Sequence, residues 1–239
     1  MLTSTTTARR PALDAFLGCA ELDELSARRA ALGALDAGDI AAIDAVLYQW
    51  SDWQALANVL MYPELIARPQ LVRHLLHALE DADHDYLALA AIVGLQPLSH
   101  GFFPEQHREQ LAAALIARLE AAQLAIARRA SVTLVSFLGE DEVAKVAPFL
   151  NHPDDAVRHN VLVAIVAAVG AEAASTLVRR TLARAPLGAD ARAGLVALAA
   201  ELDALIAAGD ADQVRASRLG APLLAYLPNL ADWPPARAR

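Results

Sequence analysis

The stretch LNHPDDAVRHNVLVAIVAAVG, Leu150 to Gly170, constrains the fold of this chain more than any other. It joins a Pro-Asp-Asp turn to a run, Val161 to Val169, that is apolar on nearly every face. A helix with no polar face must be covered on all sides by other elements. Slid back along the chain until Leu150 falls on Leu119, the stretch aligns with LEAAQLAIARRASVTLVSFLG, Leu119 to Gly139. Ile126 then matches Val157, Leu134 matches Ile165, Val135 matches Val166, Leu138 matches Val169 and Gly139 matches Gly170. The two segments are copies of one structural unit.

A short amphipathic segment ends on the leading leucine of each unit, and this feature recurs along the chain. The segments are DIAAIDAVL ending at Leu47, LVRHLLHAL at Leu79, LAAALIARL at Leu119, EVAKVAPFL at Leu150 and ASTLVRRTL at Leu182. The leucines recur at a period of about 32 residues, within the range of helical repeats, with one longer step from Leu79 to Leu119. Four residues before each leucine stands another apolar side chain, Ile43, Leu75, Leu115, Val146 or Val178, which gives every segment a buried i, i+4 stripe. The longest irregular connector, Gly94 to Pro104, accounts for the longer step. Hydrophobic residues make up 56% of the chain and aromatic residues only 5%, with alanine and leucine dominant. That composition predicts an all-α protein.

Pro153, Asp154, Val157, Arg158 and Gly170 together resemble the HEAT repeat, in particular its short bacterial form. The resemblance implies an α-α superhelix, a HEAT-like solenoid of about five helical pairs, spanning roughly residues 39–208. It also implies that Asp154 and Arg158 form a clasp between neighbouring repeats and that the second helices, those ending on the leading leucines, line a concave face. We expect a disordered N-terminus over 1–10, a single solenoid domain over 11–220 and a proline-rich C-terminal cap or tail over 221–239.

The net charge of −8 and the pI near 5.3 argue against nucleic acid as a partner, because non-specific phosphate binding needs a basic surface. A single cysteine, Cys19, allows neither an internal disulfide nor a cysteine-based zinc site. The longest apolar run, Val161 to Ala171, is too short to span a bilayer. No apolar segment follows the N-terminal arginines, so the expected location is cytoplasmic.

Charged turns on helical scaffolds usually cap helices, and Asp154 or Asp155 is placed to do so. Five of the seven histidines lie between His74 and His107. His74 and His77 share a helix face, but they lack the spacing and the glutamate of a zinc hydrolase, so we expect no metal and no cofactor. Trp50 and Trp53 flank Ser51, which starts a helix through a capping pattern with Gln54; they are candidate aromatic anchors, one of them exposed.

The sequence has no phosphate-binding glycine loop, no Gly-x-Ser-x-Gly elbow and no Cys/His nucleophile pair. We therefore expect a non-catalytic scaffold or adaptor that binds a protein or peptide on its concave face, through Arg73, His74, His77, Arg118, Lys145, Arg179 and Arg180. The alternative, by resemblance, is an enzyme acting on nucleic acid, such as the HEAT-like alkylpurine DNA glycosylases, with Trp50, Asp52 and Trp53 at its centre.

Overall fold

The computed structural model describes residues 35–209, apart from 49–52, 67, 82, 97, 99–102 and 185–186. The expected N-terminal and C-terminal segments, together with Trp50 and Asp52, lie outside the described residues. Among the described residues the secondary structure is entirely helical: α1 (Ala37–Tyr48), α2 (Trp53–Leu60), α3 (Pro63–Ile66), α4 (Val72–Glu80), α5 (Asp85–Leu95), α6 (Glu105–Ala117), α7 (Leu124–Leu134), α8 (Val143–Val146), α9 (Asp155–Val169), α10 (Ala171–Arg184) and α11 (Ala189–Ala207). Tight 3-10 turns cover Arg118–Glu120, Glu140–Glu142 and Ala147–Asn151. No described helix is long and apolar enough to cross a membrane.

The boundaries follow from local chemistry. The Asp154 side chain accepts the Val157 N–H at 3.1 Å and starts α9. Gly170 ends it with φ 86°, a conformation that L side chains rarely adopt, while its N–H still reaches the Val166 carbonyl. At the start of α1, Asp36 and Asp39 each accept the other's backbone N–H, so the helix begins at Ala37, ahead of the segment that opens at Asp39 in the sequence. The segment ending at Leu150 forms one α-turn between two 3-10 turns, because Pro148 has no N–H to donate to the preceding turn.

Packing follows chain order. The helices after the leading leucines each pack on the next: α2 on α5, α5 on α7, α7 on α9 and α9 on α11. Within units, α4 meets α5, α6 meets α7, α8 meets α9 and α10 meets α11, while α4 also packs on α6. The i, i+4 stripes lie inside: Ile43, Leu75, Leu115, Val146 and Val178 are fully buried, as are Leu79, Leu119 and Leu150 to within 1%. On α9 every residue from Ala156 to Val166 is buried except His159, Arg158 and Asn160 included, so the helix is covered on nearly all sides. At the contact of α5 with α2, a Cβ on Gly94 would stand 2.0 Å from the Leu60 carbonyl oxygen, so only glycine permits this approach.

Truncating Leu115 to alanine should lower unfolding free energy by about 3 kcal/mol, because it opens a cavity at a fully buried stripe position. The same change at exposed Leu124 should cost under about 0.5 kcal/mol. Urea titrations of the two variants check both values.

Candidate functional site

Several long polar side chains among the described residues reach across to a neighbouring unit. Arg73 donates to Asp44 at 2.6 Å, and the buried His74 Nε2 lies 2.8 Å from the same carboxylate. Arg108 donates to the Phe137 carbonyl at 3.1 Å and to Glu142 at 3.2 Å. Arg118 donates to the carbonyls of Leu79 and Asp81, closing the end of α4. Arg128 pairs with Asp154 at 2.7 Å, Asn160 donates to the Ser131 hydroxyl at 2.9 Å, and Arg179 pairs with Asp203 at 2.6 Å. The partners are 24 to 39 residues apart in sequence, about one unit.

Asp154 holds two roles at once, capping α9 and receiving Arg128 from α7. Burial would raise its pKa, but hydrogen bonds from Arg128 and the Val157 N–H outweigh that and hold it below the ordinary carboxylate range. Arg158, 1% exposed, donates to the carbonyls of His152 and Pro153 and pairs with Asp155 of its own turn, and the charge of Asp190 on α11 also acts on it. The guanidinium is held by its own turn because that turn presents two outward carbonyls within reach, and Gly194 of α11 leaves room beside it. The side-chain ion pair between neighbouring helices α7 and α9 at this corner is that of Arg128 with Asp154.

The expected partner-binding residues divide into two sets. His74 is 5% exposed and Arg118 8%, and both are buried among the helices. Arg73 and Arg179 are exposed but paired with Asp44 and Asp203, and Arg73 also stacks over Tyr48 at 5.2 Å. His77, Lys145 and Arg180 are exposed. Lys145 and Arg180 form no ion pair among the described residues. Arg180 lines an open groove of about 640 Å³ between α8 and α10, together with Glu140, Val143, Ala144, Ala168, Val169, Ala173, Thr176 and Leu177. His74 and His77 do not converge, since His74 is turned onto Asp44. Among the described residues no three His, Cys, Asp or Glu side chains are placed to hold a metal ion. Trp53 begins α2.

Sequence reasoning missed Arg108, Arg128, Asp44 and Asp203 as cross-unit partners. A signal was available: Asp44 and His74, Ser131 and Asn160, and Phe137 and Arg108 each stand close to one period apart. No family model, curated protein or solved structure matches the chain.

Two histidines make the clasps pH-sensitive. Burial, more than neighbouring charge, pulls His74 and His152 below their ordinary value of 6.5. The ring Nδ1 of His152 accepts the Asp154 N–H at 3.1 Å, which a protonated ring cannot do. Because the folded-state pKa values are lowered, the unfolded chain takes up protons first, so stability is full above about pH 6.5 and falls as the pH drops below it. Asp44 and Asp154, also lowered, add a further loss only below their ordinary 3.8. Urea midpoints should therefore fall between about pH 7 and about pH 5. His152→Asn, which keeps an acceptor without a titrating ring, should flatten part of that fall, and an unchanged slope would contradict the assignment.

Proposed function

We propose that this chain is a non-catalytic HEAT-like α-solenoid that binds a protein partner on the face formed by α1, α4, α6, α8 and α10. The observation that carries this reading is the split among the basic residues of that face. Arg73, Arg118 and Arg179 are engaged by the protein's own carbonyls and carboxylates, whereas Lys145 and Arg180 remain exposed, Arg180 beside an apolar groove. Packing in chain order with cross-unit links supports the solenoid half of the reading, since each unit buries its apolar faces against its neighbours. The resemblance of Pro153, Asp154, Val157, Arg158 and Gly170 to the HEAT pattern supports it independently. A helix row with partly uncompensated charges and a shallow apolar cleft suits dispersed polar contacts around an apolar anchor.

Photo-crosslinking in the native host tests the reading. A photoreactive residue at His77, Lys145 or Arg180 should give a discrete adduct with another protein, while one at exposed Leu124 at the start of α7 should give none. Adducts of equal yield at all four positions, or none at any, would overturn it.

A further inference from the structure

The groove between α8 and α10 has a filled counterpart elsewhere in this chain. One unit earlier, the corner between α6 and the turn before α8 is closed by four side chains: Arg108, Phe137, Leu138 and Glu142, all buried. Arg108 joins Glu142 and the Phe137 carbonyl, and the Phe137 ring packs on Phe103 with centroids 5.8 Å apart. In the register that places Leu119 on Leu150, the equivalent of Arg108 is Gly139, that of Phe137 is Ala168, that of Leu138 is Val169 and that of Glu142 is Ala173, which lines the groove. Every group that closes the first corner is replaced by a smaller one in the second. Ala168 and Val169 are left half-buried on the floor of the groove, where Phe137 and Leu138 are 1% and 8% exposed.

Two properties of the groove specify what would fill it. The missing volume is that of an aromatic side chain, since the chain closes the equivalent corner with the Phe103–Phe137 pair. Arg180 on the α10 wall is a cation without an ion pair among the described residues, while Glu140, in the turn before α8, disfavours an acid on that side. We propose that the groove receives, from the protein partner inferred above, a short segment with an aromatic side chain seated over Ala168 and Val169 and a neighbouring carboxylate paired with Arg180. The inference rests on the partner-binding reading and adds the location and chemistry of its anchor. The buried aromatic provides most of the affinity and the carboxylate fixes orientation.

The test selects a phage-displayed library of random twelve-residue peptides on the intact chain, and measures the recovered peptides by fluorescence anisotropy against two variants. Ala168→Phe refills the floor with the residue that the preceding unit carries at this position, and Arg180→Glu reverses the wall charge at an exposed site. Thermal melts establish that each variant is folded. The expected result is a set of peptides sharing an aromatic residue beside Asp or Glu, whose affinity falls about tenfold or more on each variant. Failure to recover peptides, or peptides whose affinity neither variant changes, would overturn the proposal. If Ala168→Phe alone fails to fold, Arg180→Glu decides the matter by the same criterion. A crosslinked partner at Lys145 that persists undiminished in both variants would leave the binding face standing and reject only the groove as its anchor.

Discussion

A buried guanidinium keeps its proton, so each one taken inside must find oxygen atoms to donate to. Arg108, Arg118 and Arg158 are all buried, and what they find are the carbonyls and carboxylates exposed where helices end. Helix C-termini carry unsatisfied carbonyls and partial negative charge, which makes them natural receptors for arginine. Arg118 closes the end of α4 in this way, and Arg108 does the same for the turn after α7. The rest of the architecture depends on that arrangement. Apolar stripes hold units together without fixing their register, whereas a guanidinium that must reach a particular carbonyl admits few alternatives.

Much of the helical framework could be read from the sequence because two independent periods coincide. The i, i+4 stripes at Ile43, Leu75, Leu115, Val146 and Val178 report local helix, and the recurrence of the leading leucine reports which helices are equivalent. All five stripe residues are fully buried. Helix type and length were less legible. Pro148 turns the last part of the segment ending at Leu150 into a 3-10 helix, and an Asp36–Asp39 exchange moves the start of α1, both through hydrogen bonds that hydrophobic periodicity does not report.

The candidate site was less legible for a physical reason. A basic residue on an amphipathic helix looks the same in sequence whether it faces solvent or a carbonyl one unit away. Arg118 and Lys145 both sit on second helices, yet one is buried in the end of α4 and the other is exposed. The distinguishing information lies at a distance of one period: Leu79 and Asp81 for Arg118, Asp44 for Arg73, Asp203 for Arg179. Comparing a unit with its own neighbour also reveals the groove, since Gly139, Ala168, Val169 and Ala173 look unexceptional until set beside Arg108, Phe137, Leu138 and Glu142.

The central claim is that coupling in this molecule runs between neighbouring units along the chain, as the proposed solenoid requires. Native-state hydrogen exchange read by mass spectrometry, on the unmodified chain and on Leu150→Ala, tests it most directly. Leu150 is fully buried in the unit between α8 and α9. The account predicts that exchange accelerates in α7 through α10, with the effect decreasing toward α4 and absent from α1. An equal loss of protection in every helix would show one undivided core and contradict it.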